Sequence, residues 1–152
     1  MNMQNHIRVV EIGSPSGGIV EPEWLAKAES VHRQLRPNLP REYPEKIAAI
    51  LRDGAVMCIA LRTDRVVGVT VYRIFENSHA GRRCYVDDLV TDESDRSTGV
   101  GKVLLEHVQS VAMSRGCSSV ELESGSQRSG AHRFYFREGF VISGFSFKKA
   151  FQ

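Results

Sequence analysis

The chain has 152 residues, of which 41% are hydrophobic and 25% charged, and its formal net charge of +2 is small. This composition is typical of one globular domain with a real hydrophobic core, and it gives no bulk electrostatic reason to expect nucleic acid or an anionic membrane as a partner. No apolar run approaches the roughly 20 residues of a membrane-spanning helix and the N-terminus lacks a secretory pattern, so we expect a single cytoplasmic domain over residues 1–152.

The first half of the chain predicts a strand, two helices and a hairpin. β-Branched residues mark the strands, and apolar residues at helical spacing mark the helices. The glycine-rich stretch at 13–18 predicts a plain turn rather than a phosphate loop. In order, the predicted elements are a strand at 6–12, helices from Pro22 to Leu35 and over 43–54, and strands at 55–62 and 65–75.

The second half predicts strands alternating with helices. The predicted elements are a strand at 82–91, a helix over about 99–114, a strand at 117–124, a helix at 129–139, and one or two strands over 140–151. The whole order predicts an α/β domain with a mixed sheet. The hairpins would be antiparallel, and the strand–helix–strand unit over 83–123 would be parallel with a right-handed crossover.

The three cysteines, Cys58, Cys84 and Cys117, are scattered in or beside apolar stretches without a CxxC pair or a neighbouring histidine. Reduced thiols in or near the core of a cytosolic protein are the simplest interpretation, and a catalytic cysteine is the alternative. The spacing of potential ligands predicts no metal site.

The stretch "DRSTGVGKVLLEHV" (95–108) combines a basic residue, two glycines and an apolar helical pattern. Gly99 and Gly101 fall in the first turn of the predicted helix, where backbone N–H groups lack partners and the helix dipole adds about half a positive charge. The missing side chains would let a phosphate approach, and the Arg96 guanidinium would add a fixed charge.

The spacing alone leaves a second interpretation open, in which Ser97 or Thr98 simply caps the helix. A dinucleotide-binding GxGxxG motif does not fit, because Leu104 stands at the place of the third glycine. A P-loop is excluded more firmly, since the second glycine and the Gly-Lys-Ser/Thr sequence are missing.

Two stretches together resemble the motifs of the GCN5-related N-acetyltransferases (GNAT family). "DDLVTDESDRSTGVGKVLLEHV" resembles the acetyl-coenzyme A motif, Arg/Gln-x-x-Gly-x-Gly/Ala after a strand, and "AHRFYFREGF" (131–140) resembles the second motif. The motifs lie within 82–145, and residues 6–75 match by element order only. The resemblance implies a single-domain fold with six to seven strands and about four helices, splayed between the strands at 83–91 and 117–123.

The resemblance also implies acetyl transfer from acetyl-coenzyme A to an amine by direct attack in a ternary complex. The pantetheine arm would bond to exposed backbone at Leu89, Val90 and Thr91, because an open strand edge offers unpaired groups. Lys102 would reach a phosphate or remain a solvated helix lysine. The pyrophosphate would lie on the backbone of six consecutive residues: Arg96, Ser97, Thr98, Gly99, Val100 and Gly101.

Three residues are candidates for the chemistry. Tyr135 aligns with the family tyrosine that faces the sulfur of coenzyme A, so its phenol is a candidate general acid, with a core tyrosine as the alternative. Strand alternation places Asp87 on one face with Tyr85 and Leu89, and Asp88 on the other. Asp87, directly or through water, is the first candidate base and Asp88 the second, since burial would raise a carboxyl pKa toward neutrality.

Other roles stay open for these acids, which could bind a cationic substrate or pair with Arg82 or Arg83. The backbone N–H of Val90 or a near neighbour would stabilise the oxyanion. Many family members carry Asn seven residues before the tyrosine, and Arg128 stands there in this chain. Arg128 therefore either binds an anionic group of coenzyme A or lies solvated in its loop.

The acceptor pocket would be formed by the first two helices, the 75–82 loop and the last strands, and we expect lone histidines there to lie at the surface. The side chains available to it are Trp24, His32, Tyr43, Tyr72, Phe75, Glu76, His79 and Glu123. The predicted function is acetyl-coenzyme A-dependent acetylation of a small primary amine, with no metal, nucleic acid or membrane involved and a homodimer left open. A protein N-terminal or lysine acetyltransferase and a non-catalytic acyl-coenzyme A sensor are the alternatives.

Overall fold

The computed structural model describes residues 6–152, which form one six-stranded sheet and four α-helices. A turn of 3-10 helix, Glu93–Asp95, follows the fifth strand. Within the described residues, no helix is long and apolar enough to span a membrane. The elements are β1 (Ile7–Ser14), β2 (Gly18–Ile19), α1 (Pro22–Leu35), α2 (Tyr43–Arg52), β3 (Ala55–Arg62), β4 (Arg65–Asn77), β5 (Gly81–Thr91), α3 (Val100–Ser114), β6 (Ser119–Leu122) and α4 (Ser129–Arg137).

The strands lie in the order β2-β1-β3-β4-β5-β6. The pairs from β2 to β5 are antiparallel, whereas β6 returns beside β5 after the helical crossover of α3, which makes the sheet mixed. The predicted fold class, strand number and helix number are confirmed. The short strand β2 was not predicted, because its two residues lie in a glycine-rich turn that carries no strand pattern.

The chain divides into two compact units, one ending at Glu121 and one beginning at Leu122. In the first unit, α1 and α2 cover one face of the sheet, where Leu25, Tyr43 and Ile47 join a large buried cluster. On the other face, Val100 and Leu104 of α3 pack with strand residues in a second cluster. A single N-acetyltransferase domain over residues 1–152 stays a prediction.

Gly68 of β4 determines how closely α3 approaches the sheet. A Cβ atom at this position would lie 2.7 Å from Val100 Cγ1 and 2.9 Å from Leu104 Cδ1, which is closer than real side-chain contacts. The missing side chain therefore allows the first turns of α3 to pack directly on β4. The loop that precedes α3 is held near the sheet as a result.

The second unit contains α4, which ends at Arg137 and is followed by Gly139 with a positive φ of 87°. The prediction of one or two strands over 140–151 is wrong, because no strand is formed in that range. A strand requires a neighbour that takes its backbone hydrogen bonds, and an apolar alternation cannot show whether that neighbour exists. The apolar side chains of this segment are 72–94% exposed: Val141, Ile142, Phe145, Phe147 and Phe151.

Candidate functional site

The loop between the 3-10 helix and α3 has the geometry of an anion-binding site. Residues 96–99 are exposed, and Ser97 and Gly99 adopt positive φ angles of 61° and 90°. The first backbone bond of the helix runs from Val103 N to Gly99 O at 3.0 Å, so the three N–H groups after Gly99 have no acceptor within the helix. These N–H groups and the positive end of the helix dipole favour a phosphate at this point.

The alternative interpretation of this loop, a helix capped by Ser97 or Thr98, does not describe the structure. Gly99 occupies the N-cap position, and within the described residues α3 has no side-chain cap bond. The hydroxyl of Thr98 donates to the carbonyl of Asp95 instead, at 2.5 Å. Gly99 suits the N-cap position because residues with a side chain rarely adopt its left-handed backbone conformation.

The two cationic side chains proposed beside the loop are solvent-exposed. Arg96 lies in the exposed part of the loop. Lys102 Nζ lies 3.9 Å from Glu106 Oε1, an exposed pair one helical turn apart. In the second unit, Arg128 is exposed at the N-cap position of α4 and makes no capping bond with its side chain.

The backbone of Leu89–Thr91 pairs with Gly68–Thr70 of β4 along one side. On the other side, β6 begins beside Arg82, where Ser118 N donates to Arg82 O at 2.8 Å. Because β6 has only four residues, and a parallel strand rises about 3.3 Å per residue, it ends before it reaches Leu89. The segment predicted to bind pantetheine therefore lies beyond the end of β6.

Strand β5 contains a β-bulge at its two acidic residues. Val86 lies opposite Tyr72 and Asp88 lies opposite Val71, so Asp87 is an extra residue without its own partner in β4. Because Tyr72 and Val71 are consecutive, Val86 and Asp88 lie on opposite faces of the sheet. The predicted alternation along β5 is therefore wrong across the bulge.

The reversal affects the residues on both sides of the bulge. Tyr85 lies opposite Arg73 and Leu89 opposite Thr70, so Tyr85 and Leu89 do not share a face as the alternation predicted. Leu89 packs with the α3 cluster, whereas Asp88 points toward α1. The sequence does not show where a strand takes up an extra residue, so the pattern did not reveal the bulge.

Asp88 is buried and its two carboxylate oxygens are both bonded. Oδ2 lies 2.8 Å from Nε2 of His32, and Oδ1 accepts from Nε of Arg36 at 2.7 Å. Burial alone would raise the pKa of Asp88, but the hydrogen bonds and charges of His32 and Arg36 outweigh it and lower that pKa. Asp88 is therefore a fixed anion that ties α1 to β5.

His32 connects three elements rather than lying at the surface as predicted. It is 1% exposed, and its Nδ1 lies 2.9 Å from the hydroxyl of Tyr43 on α2. Burial raises the pKa of Tyr43, so its hydroxyl keeps its proton and shares a hydrogen bond with Nδ1, while Nε2 bonds to the carboxylate of Asp88. Tyr72, also proposed for the acceptor pocket, is likewise 1% exposed.

Asp87 is more accessible than its neighbour, with 30% of its side chain exposed. Its Oδ2 accepts from Nε of Arg73 at 2.7 Å, and its carbonyl accepts from Nη2 of Arg36 at 2.9 Å. Arg82 and Arg83, the alternative partners that the sequence suggests for the two acids, pair with other residues: Glu76 at 3.6 Å and Glu121 at 2.9 Å.

Sequence reasoning missed Arg36 and Arg73 as partners of the two acids. Arg36 and Asp88 are separated by 52 positions in the chain, so no local pattern connects them. The only signal was chemical: two adjacent acids in a central strand require partners or water. Arg73, in the strand next to β5, could have been found by pairing the predicted strands.

Tyr135 lies on α4 between two aromatic rings. The centroid of Phe134 is 5.4 Å and that of Phe140 is 5.8 Å from the Tyr135 ring, and the side chain is half-buried. Burial raises the pKa of Tyr135, and the charge of Arg128 opposes the rise only in part. The phenol is therefore protonated at neutral pH and can donate a proton.

The cysteines lie where the sequence predicted. Cys58 and Cys84 are buried and Cys117 is partly buried, and all three are free thiols. Burial raises the pKa of Cys58 and of Cys84 to about 12, which makes both poor nucleophiles at neutral pH. In the part of the chain that the structure describes, no group of three His, Cys, Asp or Glu side chains could hold a metal ion.

Comparisons with known proteins agree with this geometry. The Acetyltransferase (GNAT) family pattern matches residues 23–140. An uncharacterized N-acetyltransferase of Bacillus subtilis, YhdJ, is 34% identical over 130 residues, covering 84% of this chain and 91% of its own. An aminoalkylphosphonate N-acetyltransferase of Salmonella typhimurium is 36% identical over 93 residues, 60% of each chain. A solved aminoglycoside N-acetyltransferase in complex with CoA shares the fold at a TM-score of 0.81, with 16% identity and coverage of 97% of this chain and 95% of that one.

Proposed function

The chain belongs to the acetyltransferase (GNAT) family and is an acyltransferase, and from this premise we propose that it transfers the acetyl group of acetyl-coenzyme A to a small primary amine. The observation that carries the proposal is the exposed loop at the start of α3. Its left-handed Gly99 and the unpaired N–H groups that follow suit a pyrophosphate. A solved relative of the same fold binds CoA, which supports the same donor for this chain.

The donor would be held by backbone groups of the first unit. The pyrophosphate would accept hydrogen bonds from the N–H groups of residues 96–101, with Arg96 and Lys102 adding charge beside it. Leu89, Val90 and Thr91, beyond the end of β6, would bond the pantetheine arm. Acetyl-coenzyme A supplies an acetyl thioester, and an amine can attack its carbonyl carbon.

Asp87 is the residue we propose for accepting the proton of the amine, directly or through a water. Its carboxylate is 30% exposed, so an amine or water can reach it. Asp88, the second candidate, is fixed by His32 and Arg36 and has a lowered pKa, both of which make it a weaker base. We therefore assign Asp88 to the positioning of β5.

The remaining chemical roles belong to a phenol and a backbone group. We propose that Tyr135 donates a proton to the leaving thiolate, because burial keeps its phenol protonated at neutral pH. The N–H of Val90, or of a near neighbour in β5, would donate to the oxygen on which negative charge develops. Arg128 would bind an anionic group of the donor through its exposed guanidinium.

Small-molecule acceptors are favoured by two similar proteins that carry a small-molecule substrate in their names. One is an aminoalkylphosphonate N-acetyltransferase and another an aminoglycoside N-acetyltransferase. A non-catalytic acyl-coenzyme A sensor is disfavoured, since the loop glycines and Tyr135 are all present. Unpaired, buried thiols agree with a cytoplasmic location.

The test is release of free coenzyme A thiol over a panel of acceptors: aminoalkylphosphonates, aminoglycosides, polyamines, amino acids, a peptide with a free N-terminus and a lysine peptide. Turnover with one class of small amine is expected. Turnover with peptides alone would indicate a protein acetyltransferase. Tight coenzyme A binding in calorimetry without turnover on any amine would indicate a sensor, and no coenzyme A binding would refute the proposed donor.

A further inference from the structure

Two arginines at the β3–β4 turn hold the residue that precedes the loop. Arg62 ends β3 and Arg65 begins β4, and the two lie opposite each other in the hairpin. The buried carboxylate of Asp95 sits between their guanidinium groups. Arg65 donates to both of its oxygens, at 2.6 and 3.0 Å, and Arg62 donates to Oδ1 at 2.6 Å. The bidentate geometry is the strong form of this ion pair.

The same cluster extends into the loop through Thr98. The Thr98 hydroxyl donates to the carbonyl of Asp95 at 2.5 Å and accepts from Nη2 of Arg62 at 3.2 Å. These bonds bracket Arg96 and Ser97. Ser97 adopts a φ of 61°, a conformation uncommon for any residue other than glycine, and such a residue persists where its surroundings hold it.

The other end of the loop is fixed by packing. Val100, the first residue of α3, is 1% exposed and packs on β4 at Gly68. Four exposed residues, 96–99, therefore connect two fixed points. A short segment held at both ends has few conformations available, so its N–H groups are oriented before any ligand arrives.

We propose that Asp95, Arg62, Arg65 and Thr98 are positioning residues that preset the loop at 96–99 for the pyrophosphate of coenzyme A. This inference rests on the proposed function. Arginines this near a phosphate loop are natural phosphate ligands, but Arg65 is bidentate on Asp95, and Arg62 is shared between Asp95 and Thr98. Their guanidinium groups therefore act on the ligand through the loop.

The decisive variant is Asp95→Asn, because positioning and direct phosphate binding predict opposite results. If Asp95 organises the loop, the binding-competent fraction falls, and a fall to about a tenth raises the Kd of coenzyme A about tenfold. If the arginines bind phosphate directly, the loss of Asp95 frees them and affinity stays equal or increases. Isothermal calorimetry with coenzyme A measures the Kd, and unchanged or tighter binding overturns the inference.

Asp64→Asn is the matched control. Asp64 is an exposed residue in the same β3–β4 turn, beside Arg65, so its replacement removes the same charge near the same hairpin. We expect its Kd to equal that of the wild type. Removal of a negative charge by itself favours an anionic ligand, so an equal gain of affinity in both variants would mean that net charge, and not loop geometry, sets the binding, and would overturn the inference. An equal loss in both variants would show that the contacts of Asp95 have no specific role and would overturn it as well.

Two further measurements keep the inference falsifiable if Asp95→Asn does not fold. Thr98→Val removes the hydroxyl at this exposed position, whereas Thr98→Ser keeps it. We expect Thr98→Val to bind coenzyme A more weakly than Thr98→Ser does. Equal affinities of the two variants would overturn the inference. Hydrogen exchange of the ligand-free protein should show faster exchange over residues 96–102 in Thr98→Val than in the wild type, and equal rates would contradict presetting.

Turnover separates positioning from a general structural loss. We expect the KM for acetyl-coenzyme A to rise in Asp95→Asn while kcat at saturating donor stays within about twofold, since only donor binding is affected. A collapse of kcat at unchanged KM would overturn the inference. If the wild type itself fails to bind coenzyme A, the proposed function fails, whereas equal binding by the wild type and Asp95→Asn removes the positioning role alone.

Discussion

Replacing each of the two adjacent aspartates by asparagine should separate an anchor from a base. In Asp88→Asn, the amide can still accept from His32 Nε2, but its NH2 group then faces the Arg36 donor. One charge-assisted hydrogen bond becomes neutral and one is lost. Charged bonds contribute about 1.5–3 kcal/mol and neutral ones about 0.5–1.5 kcal/mol, but Arg36 is half-exposed and can bond to water in the variant, so its bond counts for about 1 kcal/mol at most. We therefore expect a loss of about 2 kcal/mol in the free energy of unfolding.

The same change at Asp87 should cost much less stability and much more activity. The pair of Asp87 with Arg73 is part-exposed on both sides, and such pairs contribute about 0–1 kcal/mol. For a chain of this size, a melting temperature lower by about 4–8 °C is expected for Asp88→Asn and by less than about 4 °C for Asp87→Asn. Loss of a general base should reduce kcat by about a hundredfold or more in Asp87→Asn only.

Acid provides an independent check on Asp88. Its folded pKa is lowered below the unfolded value of about 3.9, so its ionised form stabilises the fold above that pH, and the contribution disappears as the pH falls through the folded pKa. The stability gap between the wild type and Asp88→Asn should therefore be present at pH 7 and narrow below about pH 4. Thermal unfolding across this range and thiol-release assays test both variants. A stable Asp88→Asn enzyme with kcat reduced as in Asp87→Asn would refute the assignment and make Asp88 the base.

Three further substitutions test the acid, the loop and the sheet contact. Tyr135→Phe should lower kcat in the thiol-release assay by about a hundredfold while calorimetry shows unchanged coenzyme A affinity; unchanged turnover would remove Tyr135 as the acid. Gly101→Val should block the pyrophosphate and weaken coenzyme A binding by about tenfold or more, so normal binding would contradict the proposed cradle. Gly68→Val would drive a side chain into Val100 and Leu104, and we expect a destabilisation of about 1–3 kcal/mol in thermal unfolding; an unchanged melting temperature would disprove that this glycine sets the position of α3.

Features that are determined by residues adjacent in the sequence were predictable. Pro22 marks the start of α1, Gly54 follows the end of α2, and Thr63–Asp64 forms the turn between β3 and β4. The place of Gly99 at the N-terminus of α3 was predictable for the same reason, whereas the spacing alone left a helix capped by Ser97 or Thr98 open as the alternative. Where the required partner lies outside the segment, as in the absent strands over 140–151, the same reasoning failed.

The partners of the acidic pair could not be predicted, because they come from distant parts of the chain. His32 and Asp88 are 56 positions apart, and neither carries a local sign of the other. His32 occupies a helix whose pattern is compatible with a surface histidine. Only the packing of α1 against β5 makes it a buried bridge between Tyr43 and Asp88.

The bulge explains why two consecutive aspartates have different surroundings. In a regular strand they would point to opposite faces, but the extra residue at Asp87 turns Asp88 toward α1. Asp87 is bonded by Arg73, whose Nη1 also reaches the end of α2 at the Asp53 carbonyl, so both carboxylates lie on the side of α1 and α2. Two like charges held this close require cations, and Arg36 and Arg73 supply them. With both oxygens of Asp88 bonded at the α1 anchor, Asp87 is the more accessible carboxylate and the one we propose for proton transfer, a difference in surroundings that the letters "DD" in the sequence do not contain.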